Sequence, residues 1–378
     1  MNYLVAMSGG TTTVINATLV GIINSAKENN LKVFAGIPGI SGILNGNIIE
    51  LTEKYTDDDL KLIRNLPASG IVGTSRIKKM NNAEFNKFKE IVAEFEISTF
   101  FNIGGNGTIK QSKYISQHMP MLNVISLPKT VDNDLGDGDL KDMHYTPGFP
   151  SVVNYWMKKV EMLNNENLGA YSHDKVLVAQ TFGRDVGFIA GSVRLADPER
   201  KIPLIILLPE DQQDLASVLD KINDTVEKHG RALVVMSEGY IIDDVKPRFD
   251  YSGQIMYSSS GDLVAQSLVN KLCDIGIQSR AFIPGVDQRS CNEYTLKCDR
   301  DIAYDCGVYA TALASENKTD IIVTVSETGH LKTVEYDSFK NYSRKMSPEF
   351  IDKGNFDVTD MYVKYLNGIG DYDEVHLF

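Results

Sequence analysis

The stretch "SLPKTVDNDL", Ser126–Leu135, sets two carboxylates, Asp132 and Asp134, on either side of Asn133, with Lys129 and Thr130 just upstream. A carboxylate beside a lysine suits proton abstraction from an alcohol while the ammonium holds a transferring phosphoryl group. The plain alternative is a solvated Asp/Asn turn after a strand, which is common. Pro-Lys-Thr-x-Asp-Asn-Asp is more particular than such a turn requires. Three further stretches add charge: "AQTFGRDVGFIAG" carries Arg184 in a turn after Phe182 and Gly183, "VVMSEGY" ends an apolar run on Glu238, and "SRAFIPGVDQRS" brackets a strand and turn with Arg280 and Arg289. Arginine's planar fork suits bidentate phosphate contacts. For Arg184 the alternative is a helix-start residue in solvent.

Two glycine turns could receive the phosphate itself. "AMSGGTTTVINA", Ala6–Ala17, runs from an apolar segment through Gly9-Gly10 into three threonines that open a helix, and "FNIGGNGTIKQ", Phe101–Gln111, repeats that pattern around Gly105, Asn106, Gly107 and Thr108. Small residues at a helix start leave N–H groups available to an anion. The alternative for the first is a tight turn capped by Thr11 or Thr12. Each turn alone is a weak signal, and two in one chain point to a polyphosphate.

These residues need a scaffold that gathers strand ends. Short apolar runs supply it at Tyr3–Met7, Lys32–Ala35, Thr99–Ile103, Asn123–Leu127, Lys175–Gln180, Leu204–Leu208, Ala232–Met236, Ala281–Ile283 and Ile321–Val325. Helical patterns lie between them, among them Thr13–Glu28, Phe149–Leu163, Val186–Leu195 and Leu263–Asp274. This alternation predicts an α/β fold with mainly parallel sheets covered on both faces. Ligands of such sheets bind beyond the carboxyl ends of the strands, where the polar motifs fall.

With 378 residues, at about 100–200 per domain, the chain is expected to form two domains. Its net charge of −12 argues against nucleic acid or anionic lipid as the main partner, since no broad basic surface is available. No apolar run has the roughly 18 residues that span a bilayer, and "MNYLVAMSGG" lacks the build of a signal peptide. The four cysteines, Cys273, Cys291, Cys298 and Cys306, match neither a zinc pair nor a disulfide framework. A cytoplasmic protein with reduced thiols is expected.

In order along the chain, "SGGTTTVINA", "VGTSR", "GGNGT", "PKTVDND", "FGR", "SEG" and "RAFIPGVDQR" resemble the phosphofructokinase superfamily, closest to its pyrophosphate-type and non-allosteric branch. The resemblance runs from about Ala6 to at least Gly307, and "PKTVDND" is its specific element. It implies two Rossmann-like domains with the active site in the cleft between them. Residues 1–148, joined by part of 285–330, would bind the donor; residues 149–284 would bind the sugar phosphate; residues 331–378 would form an extension of unknown role. The implied reaction moves a phosphoryl group from ATP or pyrophosphate, with Mg²⁺, to the 1-hydroxyl of fructose 6-phosphate.

By the same resemblance Asp132 is the base. Thr130 and Lys129 help hold the transferred group, and Asp134 supports the metal or the base. Arg76 and Arg184 stabilise charge on the phosphoryl oxygens, and Gly10, Gly105, Asn106, Gly107 and Thr108 line the donor loops. Glu238 would bond sugar hydroxyls, Phe182 and Gly183 would border the sugar, and Arg280 and Arg289 would grip its 6-phosphate. Lys175 matches an arginine that the family contributes across a subunit interface, which implies a homo-oligomer, dimer or tetramer.

Some positions depart from the family pattern. Asn106 stands where most members carry a metal-binding Asp, and its amide oxygen brings no negative charge. Gly107 is the small residue that leaves room for a nucleotide, whereas Lys129 is usual in pyrophosphate users; of the two donors ATP is favoured. Phe182 replaces a Met, Val286 a phosphate-contacting His, and Pro150 a glycine. A catalytically weak, phosphate-binding or regulatory relative on the same fold is the alternative.

Overall fold

The apolar runs form two mainly parallel sheets, each in its own half of the chain's contacts. The computed structural model describes residues 2–68, 70–77, 79–242, 248–249, 255–256, 263–339 and 344–377. One unit comprises Met1–Thr130, Leu135–Phe149 and Arg289–Arg344; the other comprises Val131–Asp134, Pro150–Gln288 and Lys345–Phe378.

The first unit holds seven strands in the order Leu331–Glu335, Ile321–Val325, Asn123–Pro128, Ile97–Gly104, Asn2–Met7, Lys32–Gly36 and Ile48–Glu50. The five inner strands pair in parallel, and the two outermost are antiparallel to their neighbours. Buried side chains such as Leu4, Phe88, Phe100, Ile109, Val124 and Ile322 form its core. On one face the helices Ile15–Glu28 and Lys297–Ser315 meet at glycines. A Cβ on Gly21 would lie 2.2 Å from the Tyr304 carbonyl oxygen, and one on Gly307 would lie 2.2 Å from that of Thr18. Only hydrogen side chains allow so close a crossing.

The second unit holds four parallel strands in the order Ser279–Phe282, Val176–Thr181, Ala232–Ser237 and Leu204–Leu207. Val176–Thr181 and Ala232–Ser237 are buried along their whole length, as inner strands covered on both faces must be. Two-residue ribbons, Arg248–Phe249 with Ile255–Met256 and Ile351–Asp352 with Asp357–Val358, complete the strands described.

Several expectations change. The first helix begins at Ile15, so the three threonines form the turn before it; the Val14 N–H is 3.4 Å from the Thr12 hydroxyl. Phe149–Ala170 outruns the expected Phe149–Leu163, and the expected Val186–Leu195 helix is the α-turn Phe188–Ser192 followed by 3₁₀ geometry over Val193–Ala196. Residues 331–378 are not one extension. Leu331–Glu335 adds a strand to the first sheet, whereas the chain from Lys345 belongs to the second unit; residues 340–343 and 378 lie outside those described. Val131–Asp134 also counts with the second unit, although it falls within the expected 1–148 domain.

Cys273, Cys291, Cys298 and Cys306 are free thiols. Among the described residues no helix is long and apolar enough to cross a membrane.

Gly307→Ala is expected to force the two helices apart and to destabilise the first unit by about 1–3 kcal/mol, the usual cost of overpacking. Urea unfolding followed by circular dichroism checks this; an unchanged midpoint would show that the crossing tolerates a methyl group.

Candidate active site

In the first unit the ends of three neighbouring strands converge on Lys129. It follows the strand Asn123–Pro128 and is only 3% exposed. Its Nζ donates to the Ser8 carbonyl at 2.8 Å and to the Gly10 carbonyl, and its backbone N–H donates to Gly104 at 3.0 Å. The two glycine turns and the start of "KTVDND" are therefore tied together by one ammonium and one amide. An ammonium needs such acceptors when it leaves water.

The turn at Gly104-Gly105 leads straight into the helix Asn106–His118, which has no acidic residue in its first turn and no side-chain cap at Gly105. Such a helix start favours an anion. Gly104 is dictated by packing: a Cβ there would fall 2.1 Å from the Thr108 hydroxyl oxygen. Gly107 follows Asn106 in the first helical turn. The "VGTSR" stretch lies alongside the first turn, with the Gly9 N–H and the Ser8 hydroxyl both donating to the Ser75 carbonyl at 3.0 Å. Arg76 comes one residue later and is exposed. Arg289 approaches the same turn, since a Cβ on Gly10 would lie 2.6 Å from its Nη1. Thr130 is anchored through its carbonyl, which accepts from the Thr146 hydroxyl at 2.8 Å.

In the second unit the loop Val131–Asp134 meets the turn that bears Arg184. Asp132 is partly exposed, whereas Asn133 and Asp134, the two residues after it, are buried. The Arg184 Nη1 lies 3.4 Å from the Asp134 carboxylate, whose side chain is 3% exposed against 37% for the arginine. Arg184 has φ +55°, a left-handed conformation that a bulky residue adopts only when its surroundings hold it there. Glu238 supplies one restraint, accepting the Arg184 backbone N–H at 3.0 Å. The Ser237 hydroxyl donates to the Arg184 carbonyl at 3.2 Å. Gly239 is required in "SEG" because a Cβ would fall 1.9 Å from that carbonyl oxygen.

Gln288, which the motif reading passed over inside "GVDQR", accepts the Phe182 backbone N–H at 2.8 Å and the Trp156 indole N–H at 3.0 Å. Beside it Asp287 accepts the Tyr155 hydroxyl at 2.9 Å. These bonds fix the chain next to Phe182-Gly183.

Arg280 and Lys175 stand apart from this group. Both are exposed at the amino ends of the neighbouring strands Ser279–Phe282 and Val176–Thr181, and Arg280 pairs with Asp174. Phe182, Gly183 and Arg184 follow the other end of the second strand, about 17 Å away at roughly 3.3 Å per residue. Within one chain, Arg280 and Lys175 do not join Arg184 and Glu238.

Among the described residues no group of three or more His, Cys, Asp or Glu side chains forms a metal cage. Mg²⁺ needs only one or two protein ligands when substrate phosphates complete its shell. Asn106 in the first unit and Asp134 in the second each carry an oxygen of the kind Mg²⁺ takes.

The chain matches known proteins along most of its length. The family model described as Phosphofructokinase matches residues 2–314. The chain is 30% identical to a pyrophosphate–fructose 6-phosphate 1-phosphotransferase of Xanthomonas campestris, over 96% of this chain and 90% of that protein. It is 24% identical to an ATP-dependent 6-phosphofructokinase of Staphylococcus carnosus, over 91% and 95% of the two chains. Its structure matches that of a pyrophosphate-dependent phosphofructokinase from Nitrosospira multiformis with a TM-score of 0.85 and 29% identity, covering 99% of this chain and 93% of the other. The chain belongs to the phosphofructokinase family.

The Arg184 turn has one further support absent from the motif reading. Glu210 accepts the backbone N–H groups of Gly187 and Met346 at 3.2 and 3.0 Å through one oxygen, while its other oxygen is buried with no hydrogen-bond partner among the described residues. Burial raises its carboxyl above the ordinary carboxylate range, and the two amide bonds offset only part of that. A carboxyl raised in the folded state contributes stability at low pH and loses it as pH rises through the raised value. Glu210→Gln is therefore expected to keep both bonds and to flatten the fall in stability above the ordinary carboxylate range. Thermal melts across that range check this; parallel curves for the two proteins would show that Glu210 does not titrate as described.

Proposed function

We propose that this chain transfers a phosphoryl group to the 1-hydroxyl of fructose 6-phosphate, giving fructose 1,6-bisphosphate, with ATP as the favoured donor. The observation that carries the reading is the contrast within one loop: Asp132 reaches solvent while Asn133 and Asp134 are buried and held. A base must be accessible to the hydroxyl proton and fixed in direction.

In this reading the Asp132 carboxylate accepts the proton of the 1-hydroxyl as that oxygen bonds to the terminal phosphorus of the donor. The bridging oxygen–phosphorus bond breaks, and the leaving phosphate keeps the electron pair. Arg184 and Arg76 stabilise charge on the transferring oxygens. Lys129, Thr130, Gly10, Gly105, Gly107 and Thr108 hold the donor phosphates. Glu238 takes sugar hydroxyls beside Phe182 and Gly183, and Arg289 takes the 6-phosphate. Asn106 and Asp134 would be the protein's contacts to Mg²⁺, which would supply charge neutralisation for the donor phosphates.

Arg280 and Lys175 serve the sugar phosphate of a neighbouring copy, so the working form is a homo-oligomer, a dimer or tetramer, in the cytoplasm. Their distance from Arg184 within one chain supports that assignment. Gly107 supports ATP, whereas Lys129 and the relatives named for pyrophosphate support the other donor.

A coupled assay on fructose 6-phosphate with Mg²⁺, run side by side with ATP and pyrophosphate, tests the reading. Turnover is expected to be faster with ATP, and Asp132→Asn to lower kcat by about 10²–10⁴-fold, the range for loss of a positioned base. An unchanged rate in that variant would remove Asp132 from the role. Gly107→Asp should depress ATP use by about tenfold more than pyrophosphate use, a difference of about 1.4 kcal/mol in transition-state binding; equal losses would exclude the steric account of donor choice.

A further inference from the structure

The family match ends at residue 314, yet the chain from Lys345 onward touches both loops of the second unit that carry the proposed chemistry. Three contacts make the connection. The Tyr365 hydroxyl accepts the Asn133 side-chain amide at 2.9 Å. Lys345 pairs with Asp185 at 2.7 Å, next to Arg184. The Met346 N–H shares the Glu210 carboxylate with that of Gly187, two residues further along the same turn. Burial opposes ionisation of Asp185, but Lys345, its own backbone N–H and Arg184 together hold it below the ordinary carboxylate range.

We propose that Tyr365 is a positioning residue for the reaction: through Asn133 it orients Asp132, and the segment around it braces the Arg184 turn. This rests on the function proposed above. Asn133 is completely buried and has φ +55°. Asparagine tolerates that conformation better than most residues, but its buried amide then requires an acceptor. Tyr365 supplies one from a rigid mount. Its ring stacks on Phe350 at 5.3 Å and on Tyr362 at 5.8 Å. The Tyr362 hydroxyl in turn donates to the Phe188 carbonyl at the start of the helix after Arg184. One aromatic cluster thus holds the two loops that meet at the Asp134–Arg184 pair. Asp132 is the residue just before Asn133, so freedom at Asn133 passes directly to the base.

Tyr365→Phe keeps the ring stack and deletes the hydroxyl that accepts from Asn133. It is expected to lower kcat by about tenfold, within the loss of up to about 10²-fold that a small misplacement of reacting groups produces. KM for fructose 6-phosphate and for the donor should stay within about twofold, because neither is touched by Tyr365. Hydrogen exchange should speed up in residues 131–135 and stay unchanged in 345–367. Asn133→Gly, which keeps the backbone conformation open, should reproduce the kinetic loss, and the double variant should be no worse than the poorer single.

A Tyr365→Phe protein with kcat within about twofold of the parent and unchanged exchange overturns the proposal, as do losses that multiply in the double variant. Faster exchange throughout 345–367 would make the hydroxyl a packing group and overturn it too. If the parent protein turns over neither donor, the proposed function fails, and the exchange comparison alone decides whether Tyr365 orders the loop.

Discussion

A lysine ammonium withdrawn from water governs the strand ends of the first unit. Lys129 is buried, and the carbonyls of Ser8 and Gly10 both accept its ammonium. The positive charge is held against main-chain carbonyls of the first turn. It lies under two glycine turns whose amides, together with a helix start without acidic residues, already favour negative ligands. The chain cannot rearrange either turn without stranding that ammonium, which is a strong reason for the three strand ends to keep one geometry.

The other unit reaches similar order by neutral and anionic side chains that hold backbone amides. Glu238 takes the amide of Arg184, Gln288 that of Phe182, and Glu210 those of Gly187 and Met346. Each replaces a partner that regular secondary structure would have provided. The result is a turn, Phe182–Gly187, that has left its strand and not yet entered its helix but has few remaining ways to move.

Much of this was legible in the residues. Buried parallel strands need continuous apolar, β-branched runs, so Ile321–Val325 could be bounded correctly and Val176–Thr181 to within one residue. Strands at the sheet edges carry no such demand. Ile48–Glu50 is too short to show a pattern, and Leu331–Glu335 mixes Lys, Thr and Glu with two apolar residues, so both escaped notice. The motif residues were legible as chemistry, but which end of a strand they occupy was not. Arg280 and Arg289 sit nine positions apart in sequence, and only the register Arg280–Leu177 assigns the first to the amino end of its sheet. The bond between Asn133 and Tyr365 spans 232 positions and leaves no local trace.

The threading of the chain between the two units sets an order on its synthesis. Neither sheet has its full complement when the ribosome has delivered the first half of the protein. The first unit waits for Ile321–Val325 to extend the parallel pairing beyond Asn123–Pro128. The second waits for the chain from Lys345, whose Phe356 carbonyl accepts the Ile206 N–H at the open edge of Leu204–Leu207. Until those segments have emerged, each sheet keeps an unpaired edge, the feature that makes slow, long-range β pairing prone to wrong partners. A nascent chain of this architecture therefore exposes those edges until late segments arrive, and loss of the residues from Lys345 onward is felt in both loops that would perform its chemistry.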